Sequence, residues 1–536
     1  MTGSRTIIQD TITGAFARAV DKAPDNIFLD FSGERYSYAE IAHHSTEIAH
    51  GLLDAGVVAG EIVATMLDNS LEAVTAWLAI NMIGAVNAPV NTAFKGSFLR
   101  NQLNDCTAQV VITENEYGDR VTAIADELPG VRRLVTKSEC VPSTAAFETT
   151  TLEALRRSGP RLPVTARPED LAMLIYTSGT TGPAKGCMIP HNVPCNLAWN
   201  TVLDRNYDQS AVLWSPLPLF HLNAIGATVL AAMMAMGTAA ISPRFSLSRF
   251  WLEVEKSGAT TVNLLGSMAS LIAEAPDNES AKRCYGQLKH VSASPFPPAA
   301  LQKWRDRFGV QAKGALGYGM TETPTVSSVR EGDPPGPPGT SGKTGRDFEV
   351  KILDESDQEL EIGEVGEICV RPKVPNIMFQ GYWKRPSDTV KAWRNLWFHT
   401  GDLGKISMEG DIYFVDRKKD CIRRRGENIS SAEMEAVFGD HPALLDVAVH
   451  AVSSPLGEDE VKLTAQLKPG AILSEEELCR WSVERVPYFA VPLYIEFRDD
   501  LPRSSTGKVL KEQLRKEGKT ERTWDREAAG LTFQRR

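Results

Sequence analysis

The chain of 536 residues is too long for one ordinary domain and can bury a large core. A hydrophobic content of 42% and a charged content of 24% are typical of a globular protein, and the net charge of −10 argues against a nucleic-acid partner. The eight cysteines form no C-x-x-C pair, so we expect neither a zinc site nor disulfides. No apolar run reaches 18 residues, so we expect no membrane span. The N-terminus lacks a signal pattern, and we therefore expect a cytoplasmic location.

Helical and extended patterns alternate from residue 37 onwards. Residues 38–53 and 71–83 are predicted helices, whereas 61–67 and 109–113 are predicted strands. Because these strands are apolar and alternate with helices, we predict a parallel sheet covered on both faces. The alternation continues with strands at 171–175, 212–216, 239–242, 260–265 and 288–292 and helices at 224–236 and 249–256.

A Ser/Thr/Gly-rich loop follows the apolar strand at 171–175. Its residues are Thr177, Ser178, Gly179, Thr180, Thr181 and Gly182, with Lys185 three positions further on. Glycines permit positive φ and hydroxyls donate hydrogen bonds, so the backbone can surround phosphate oxygens while the lysine adds positive charge. The loop does not fit the Walker A pattern. We interpret residues 177–185 as a phosphate-binding loop, with a surface turn as the alternative.

The character of the sequence changes at about residue 331. Residues 331–339 are rich in proline and glycine and are predicted to be a loop, and the strands that follow at 348–353 and 367–371 alternate as antiparallel strands do. A smaller unit begins after the strand at 412–415, with helices at 431–438 and 475–485 and strands at 445–452 and 461–467. We therefore predict domains at 1–416 and 417–536, the second with a charged, loosely held tail from Lys516.

The segment Gly317–Glu322 offers an aromatic ring, a hydroxyl and a carboxylate within six residues. The ring of Tyr318 can stack on a base, and Thr321 can donate to a phosphate. Glu322 can bind Mg²⁺, which prefers oxygen ligands. An ordinary turn is the alternative for this segment alone.

Three later segments carry further candidate groups. Asp402 follows a strand-like segment, and a carboxylate there can accept ribose hydroxyls through charge-assisted hydrogen bonds of about 1.5–3 kcal/mol each. Residues 416–426 form a dense basic run, and the Ser/Thr/Gly loop at 501–509 contains Lys508. Taken singly, these segments are also explained as a turn, a solvated face and a surface lysine.

Together the five motifs, in this order, resemble those of the adenylate-forming superfamily: acyl-CoA synthetases, firefly-luciferase-like enzymes and peptide-synthetase adenylation domains. The resemblance covers essentially the whole chain. It implies a large N-terminal domain of stacked α/β subdomains with a β-barrel-like part, and a small mobile C-terminal α+β lid. The implied activity is ATP-dependent activation of a carboxylic acid.

The resemblance also implies roles for the motif residues. The loop at 177–185 would bind the triphosphate, Tyr318 would stack on adenine, Thr321 would contact the α-phosphate and Glu322 would help bind Mg²⁺. Other implied nucleotide-binding positions are Ser294, Gly317, Gly319 and Met320. Ser294 lies in a segment that departs from the family's usual Gly-Gly-Ala-Pro pattern.

In the second half of the chain, Asp402 and Arg417 would bind the ribose. Lys419 would lie at the hinge, and Lys508 would be the lysine that bridges the carboxylate and the α-phosphate during adenylation. Attack of a carboxylate on a phosphate brings negative charges together, and a fixed cation offsets that repulsion.

Coenzyme A is the expected acyl acceptor. The chain ends 28 residues after Lys508, which we read as leaving no room for a fused carrier domain. The segment that contains Arg423, Gly426 and Glu427 resembles the one that acyl-CoA synthetases turn towards the pantetheine tunnel. A surface charge run is the alternative for this segment, and a carrier protein or luciferase-like oxygenation is the alternative for the acceptor.

The acid is less narrowly defined by the sequence. His221 stands where peptide-synthetase domains place an aspartate, so an amino acid is not expected. The candidate catalytic residues are His221, Thr321, Glu322 and Lys508. The candidate substrate residues are His221, Asn223, Gly226, Gly266 and Gly319. Their apolar surroundings indicate a pocket for an apolar or bulky acyl chain, with core packing as the alternative.

Within the superfamily the chain looks most similar to bacterial carnitine/crotonobetaine-type CoA ligases, through residues 413–417 and 426–430. A quaternary ammonium, however, favours a carboxylate or an aromatic cage, and position 223 is asparagine. Medium-chain, aryl and steroid side-chain acids therefore stay open. We expect ATP, Mg²⁺ and coenzyme A as cofactors and a monomer or homodimer.

Overall fold

The computed structural model describes residues 9–533 except 140, 143, 178–183, 295, 297, 311–316, 331–336, 338, 418–420, 455–456 and 503–508. The centre of the predicted phosphate loop, most of the Pro/Gly-rich loop, Lys419 and Lys508 therefore lie outside the described residues. Within the described residues, no helix is long and apolar enough to cross a membrane.

The strands, in chain order, are β1 (Ile27–Phe31), β2 (Glu34–Ser37), β3 (Ile62–Met66), β4 (Val86–Pro89), β5 (Val110–Thr113), β6 (Arg133–Thr136), β7 (Glu148–Thr151), β8 (Leu171–Thr177), β9 (Lys185–Pro190), β10 (Val212–Ser215), β11 (Thr238–Ile241), β12 (Thr261–Leu265), β13 (His290–Ser294), β14 (Ser327–Ser328), β15 (Lys343–Thr344), β16 (Phe348–Leu353), β17 (Gly366–Pro372), β18 (Trp393–Arg394), β19 (Trp397–Ile406), β20 (Ile412–Arg417), β21 (Cys421–Arg424), β22 (Glu427–Ser430), β23 (Leu444–Ser453), β24 (Asp459–Leu467), β25 (Tyr494–Phe497) and β26 (Trp524–Asp525).

The α-helices are α1 (Ile12–Lys22), α2 (Tyr38–Asp54), α3 (Leu71–Met82), α4 (Gly96–Cys106), α5 (Asn115–Thr122), α6 (Leu152–Leu155), α7 (Asn192–Arg205), α8 (Ala231–Ala235), α9 (Phe250–Ser257), α10 (Gly266–Glu274), α11 (Glu279–Arg283), α12 (Pro298–Phe308), α13 (Pro386–Ala392), α14 (Ser431–Gly439), α15 (Glu475–Val483) and α16 (Lys511–Glu517). A 3₁₀ turn spans Ala125–Glu127 and a π-helix spans Ala224–Leu230.

The chain divides into two compact units. Unit 1 contains Met1–Thr92, Leu103–Ile175 and Gly186–Asp416, and unit 2 contains Ala93–Gln102, Tyr176–Lys185 and Arg417–Arg536. The sequence division at 416/417 did not anticipate the two short segments that belong with unit 2. That the units act as a body and a mobile lid stays a prediction.

The seven-stranded sheet of unit 1 has the order β7-β6-β5-β3-β4-β8-β9. The described pairs from β7 through β8 are all parallel. Every residue of β3 and of β5 is buried, as expected for strands covered on both faces. Helix α2 begins with a capping box in which Ser37 and Glu40 satisfy each other's backbone N–H groups. The predicted parallel α/β sheet is confirmed.

A second, six-stranded sheet of unit 1 has the order β13-β12-β10-β11-β1-β2. All its pairs are parallel except β1 with β2. Open α/β sheets bind ligands beyond the carboxyl ends of their strands. Strands β10 and β12 lead at that end into the segments of His221 and Gly266, and β13 ends at Ser294.

Strands β16 to β20 form an antiparallel sheet in unit 1, with the order β16-β17-β19-β18 and β20 paired with β19. The predicted antiparallel pairing of the strands at 348–353 and 367–371 is confirmed residue by residue, from Phe348↔Pro372 to Leu353↔Glu367. This sheet carries Asp402 on β19.

Unit 2 is an α+β unit whose main sheet has the order β23-β24-β25-β26, with β21 and β22 as a separate hairpin. The expectation of a loosely held tail from Lys516 is wrong for the described residues, since β26 pairs with β25. The Lys462 ammonium, which is buried, donates to the Gly518 carbonyl at 2.7 Å and to the Thr523 hydroxyl at 3.0 Å. Polar contacts therefore hold a tail that composition alone described as charged.

Two predicted elements differ from the structure. The helix expected at 224–236 is a π-helix over Ala224–Leu230 that continues into α8. Apolar periodicity does not distinguish the two helix types, and π-helical turns are frequent at functional sites. The strand expected at 288–292 is β13, which begins at His290 because it pairs with β12 from Thr261 onwards.

Candidate active site

Strands β17 and β19 lose their register around residue 400. Cys369 pairs with His399 and Glu367 pairs with Leu403, so two steps along β17 correspond to four along β19. The extra length lies in Thr400, Gly401 and Asp402, which we call the 400–402 bulge. Gly401 has φ +74°, a left-handed conformation that favours glycine. Bulges of this kind turn side chains towards active sites.

Side chains provide partners for backbone groups within the 400–402 bulge. The Thr400 hydroxyl donates to the Ile368 carbonyl at 2.7 Å and accepts from the Asp402 N–H at 3.1 Å. The Gly401 N–H donates to Oε1 of Glu367 at 3.1 Å. Buried backbone groups that no longer bond to the neighbouring strand need such partners.

The bulge brings Asp402 to Tyr318. The Tyr318 hydroxyl donates to Oδ2 of Asp402 at 2.7 Å, and the carboxylate is only 4% exposed. The backbone of Tyr318 is itself fixed, since its N–H donates to the Ser327 hydroxyl at 2.9 Å and its carbonyl accepts from the Val326 N–H at 3.0 Å. The structure thus joins two residues that the sequence assigned to adenine and ribose.

The glycines on either side of Tyr318 are required by close packing. A Cβ at Gly317 would lie 2.4 Å from the Ser327 carbonyl oxygen, and one at Gly319 would lie 2.1 Å from the Pro324 carbonyl oxygen. The Tyr318 ring also faces the half-exposed ring of Phe414, with centroids 6.3 Å apart and planes at 27°. Phe414 extends the aromatic surface, and sequence reasoning missed it.

Glu322 is buried within a tight turn that is closed by backbone hydrogen bonds between Met320 and Thr323. Its Oε1 accepts from the Tyr382 hydroxyl at 2.9 Å. Burial and the Glu322 charge raise the pKa of Tyr382, so the phenol stays protonated and donates. Thr321 lies half-buried in the same turn.

The segment that carries His221 is held by Asn69, which follows β3. The Asn69 amide donates to the carbonyls of Leu217 at 2.9 Å and Ser242 at 3.0 Å, and its oxygen accepts from the Leu219 N–H at 2.9 Å. One side chain thereby links the ends of strands in both parallel sheets. Sequence reasoning missed Asn69 because an asparagine before a helix looks like an ordinary cap.

A polar network lies beside the predicted acyl segment. The buried Asn263 amide on β12 donates to Oδ1 of Asn223 at 3.1 Å and to the Thr228 hydroxyl at 3.0 Å. Asn223 is exposed and immediately precedes the π-helix. The sequence predicted Asn223 but gave no sign of its partner Asn263, because the two residues are 40 positions apart in the chain.

Two predicted substrate glycines have structural explanations. A Cβ at Gly226 would lie 2.5 Å from Cδ2 of Leu197 on α7, so packing between helices accounts for this glycine. Gly266 is buried as the first residue of α10. Behind the segment of His221 a cavity is lined by Thr65, Leu67, Ala73, Trp77, Asn87, Pro89, Leu219, Phe220 and Ile225.

In unit 2 the predicted coenzyme A segment forms the hairpin β21–β22. Arg425 and Gly426 form its two-residue turn with φ of +53° and +82°, the signs that a type I′ turn requires. Arg424 is buried and donates to the carbonyls of Phe489 and Val491, both at 2.9 Å, so it belongs to the core. Arg423 is half-buried and Glu427 is buried.

The two ends of the predicted phosphate loop are also described. Thr177 ends β8 and Lys185 begins β9, both half-buried. Within unit 2 the Ala184 N–H donates to Oε1 of Glu433 at 3.0 Å, and burial raises the pKa of Glu433. Residues 178–183, Lys419 and Lys508 are outside the described residues, as are the side chains of Ser294 and Arg417.

Comparison with protein families shows that this fold is that of an adenylate-forming enzyme. A family model described as AMP-binding enzyme matches residues 16–383, and one described as AMP-binding enzyme C-terminal domain matches residues 433–508. The chain belongs to the AMP-binding enzyme family. It is an acid–thiol ligase that forms an acyl-adenylate from ATP and a carboxylic acid and then transfers the acyl group to coenzyme A.

Curated relatives extend over most of the chain. The chain is 30% identical over 496 residues to crotonobetaine/carnitine–CoA ligases of Shigella sonnei and Escherichia coli, covering 90% of this chain and 93% of each relative. Among solved structures, o-succinylbenzoate CoA synthetase (MenE) from Bacillus subtilis has a TM-score of 0.81 at 24% identity, covering 94% of this chain and 98% of that chain. ATP-bound MatB from Rhodopseudomonas palustris has a TM-score of 0.66 at 25% identity with the same coverage.

Proposed function

We propose that Tyr318 and Asp402 bind the adenosine of ATP, that residues 177–185 bind its triphosphate and that Lys508 assists adenylation. The observation that carries this proposal is the 2.7 Å hydrogen bond between Tyr318 and Asp402, because it joins an aromatic ring and a buried carboxylate from distant motifs. A carboxylate can accept about four hydrogen bonds, so Asp402 can serve both the phenol and the ribose hydroxyls. The ring can stack on adenine at the same time.

The reaction then proceeds in two displacements. A carboxylate oxygen of the acid attacks the α-phosphorus of ATP, the bond to the bridging oxygen breaks and pyrophosphate leaves. Lys185 and Lys508 would offset the negative charges that this attack brings together. The sulfur of coenzyme A next attacks the acyl carbon and loses its proton, the acyl–oxygen bond to phosphate breaks, and AMP leaves with the thioester as the other product.

Magnesium is the metal that the phosphate chemistry implies, and Glu322 fits it. Magnesium sites on nucleotides use one or two carboxylates together with phosphate oxygens and waters. Glu322 is a buried carboxylate that accepts a hydrogen bond from Tyr382, a phenol that carries no charge to oppose a cation. When bound, the ion would neutralise phosphate charge, and Thr321 in the same turn would donate to the α-phosphate.

For the acid, we propose an apolar or bulky acyl chain without a quaternary ammonium group. Leu217, Ala224 and Leu265 form a small apolar cluster beside the predicted acyl segment. The polar groups of the neighbouring network are the amides of Asn223 and Asn263 and the hydroxyl of Thr228, which are uncharged. A quaternary ammonium is best bound by aromatic faces or a carboxylate. The names of the curated relatives therefore do not extend to this chain's substrate.

We further propose that residues 417–536 move as a lid with its hinge at Lys419. Arg417 would contact the ribose. Coenzyme A would be contacted by Arg423, Gly426 and Glu427. The match of residues 433–508 to the family's C-terminal domain supports a separate C-terminal domain, and residues 417–427 precede that match. A cytoplasmic location and a monomeric or homodimeric state stay predictions.

The proposed roles are tested by measuring the two half-reactions, adenylate formation and thioester formation, separately in the variant Lys508→Ala. Acid-dependent ATP–pyrophosphate exchange should fall by about 10²-fold or more, as expected when a preorganised electrostatic contact is lost. Thioester formation from synthetic acyl-adenylate should stay near the wild-type rate. Lys516→Ala is the control, because Lys516 is exposed and pairs with Glu512 within α16. Equal losses in both half-reactions would refute the role of Lys508.

A further inference from the structure

We propose that Glu367 is a positioning residue for nucleotide binding. Its carboxylate holds the 400–402 bulge in the shape that turns Asp402 towards Tyr318. The inference rests on the proposed function of Asp402 in binding the ribose. It adds a residue that makes no contact with ATP and acts only through the backbone beside Asp402.

Glu367 contacts the backbone of the 400–402 bulge directly. Oε1 of Glu367 accepts the N–H of Gly401 at 3.1 Å, and Gly401 immediately precedes Asp402. Gly401 lies where β19 carries extra residues relative to β17. A buried N–H without a partner costs about 1–3 kcal/mol, so the carboxylate favours the bulged backbone over alternatives.

Glu367 is buried, with only 5% of its surface exposed. Burying a carboxylate is costly unless hydrogen bonds compensate, and an apolar residue at this position on β17 would avoid that cost. The contact with Gly401 supplies a reason for a carboxylate at this point. On the opposite side of the same bulge, Thr400 bonds to both Ile368 and Asp402, so both strands contribute to one geometry.

Other side chains orient the carboxylate. Oε2 of Glu367 lies 3.1 Å from Nδ1 of His399, whose side chain is 6% exposed, and 3.9 Å from the guanidinium of Arg394. Arg394 in turn donates to Asp357 at 2.8 Å, and the other ring nitrogen of His399 lies 3.7 Å from that same carboxylate. With Oε2 facing His399 and Arg394, Oε1 is directed at the backbone of the bulge.

A metal ion is the rival explanation for this cluster. Ligand atoms of Glu367, Cys369 and His399 lie within 4.8 Å of one another. However, the Arg394 guanidinium lies 3.1 Å from Nδ1 of His399, the atom that a cation would need. Its positive charge disfavours a divalent ion there, where Oε2 of Glu367 and Sγ of Cys369 also approach Nδ1 at 3.1 and 3.3 Å. Hydrogen bonding to the bulge explains the contacts better.

The test compares two replacements of Glu367 that differ in one property. Glu367→Gln keeps an acceptor oxygen for Gly401, whereas Glu367→Met has similar length but no oxygen. Calorimetry on the full chain measures the Kd of ATP and of 2′,3′-dideoxy-ATP, and the ratio of the two constants reports the ribose contact. A merely structural role for Glu367 would lower the melting temperature without changing this ratio in the folded protein.

We expect wild type to bind ATP about tenfold or more tightly than the dideoxy analogue, since charge-assisted hydrogen bonds to the ribose are lost. Glu367→Gln should stay within about threefold of the wild-type ratio. Glu367→Met should reduce the ratio towards that of Asp402→Ala, and the double variant should lose nothing more. Glu349→Met is the control, because Glu349 makes an exposed pair with Arg371 on the neighbouring strand.

The outcomes separate the positioning role from the proposed function. If Asp402→Ala keeps the wild-type ratio, Asp402 does not bind the ribose and both proposals fail. If Asp402→Ala abolishes the preference while folded Glu367→Met keeps it, only the positioning role is overturned. If purified protein holds stoichiometric metal that Glu367→Met loses, the metal explanation replaces it. Should Glu367→Met fail to fold, Glu367→Asp applies the same test, because the shorter side chain draws the carboxylate away from Gly401.

Discussion

The hydroxyl of Tyr318 donates to the carboxylate of Asp402 at 2.7 Å, across 84 residues of sequence. This bond fixes the relative position of an aromatic ring and an anion in the interior of unit 1. In the proposed function, the ring of Tyr318 contacts the base and the carboxylate of Asp402 contacts the ribose of one adenosine. Each can be tested without the other.

Asp402→Ala should weaken ATP binding strongly. The loss of charge-assisted hydrogen bonds of about 1.5–3 kcal/mol each corresponds to about ten- to a hundredfold in Kd for each bond. Asp402→Asn keeps the oxygen acceptor without the charge and should be intermediate. GTP should remain as poor a substrate as before, because ribose contacts carry no information about the base. An unchanged Kd for ATP by calorimetry would show that Asp402 is only a structural residue.

Replacement of Tyr318 should distinguish its ring from its hydroxyl. Tyr318→Phe keeps the ring and loses only the bond to Asp402, so the Kd for ATP should rise by less than about tenfold. Tyr318→Ala also loses stacking, which is worth about 1–3 kcal/mol per base, and should bind more weakly still. If both variants bind ATP equally well, provided that both are folded, the ring does not contact the base.

Asn69→Ala should impair use of the acid and spare ATP. Asn69 holds the backbone of Leu217 and Leu219, which leads to His221. We expect the KM for the acid to rise by about tenfold while the Kd for ATP stays within about twofold, since the lost bonds are worth about 1 kcal/mol each. The control is Asn81→Ala, because Asn81 is equally buried and donates to the carbonyls of Ala85 and Ala172. If both variants lose only stability, Asn69 has no positioning role.

Lys419→Pro should separate the two half-reactions in the direction opposite to Lys508→Ala. Proline fixes φ near −65° and removes an N–H, which restricts rotation at the predicted hinge. Pyrophosphate exchange should stay within about tenfold, whereas thioester formation from preformed adenylate should fall by about 10²-fold, a barrier change of about 2.7 kcal/mol. Parallel losses in both half-reactions with a lower melting temperature would reject the hinge.

Local patterns predicted much of the fold. Buried parallel strands such as β3 and β8 are recognised in the sequence as short apolar runs. Helix α2 is recognised by its apolar periodicity and its capping residues. The Tyr318 and Asp402 motifs were equally visible, because they consist of adjacent residues. Residues that are consecutive in the chain can be recognised without knowing which strands pair.

Contacts made across the fold could not be predicted. Glu367 was expected on a strand with one solvated face, yet it is buried and accepts the N–H of Gly401 in the 400–402 bulge. Asn263 bonds to Asn223 from the strand β12, every residue of which is buried. In each case the informative partner is more than thirty residues away, and neither periodicity nor composition specifies that pairing.

The most direct measurement is product analysis over a panel of carboxylic acids, with AMP, pyrophosphate and acyl-CoA quantified in the presence and absence of coenzyme A. The panel should span medium-chain, aryl, steroid side-chain and quaternary-ammonium acids. We expect at least one acid from the first three groups to give AMP and acyl-CoA in equal amounts only when coenzyme A is present, and carnitine or crotonobetaine to give none. Release of ADP, oxygen-dependent consumption of the adenylate without thioester, or preferential turnover of the quaternary-ammonium acids would contradict this account.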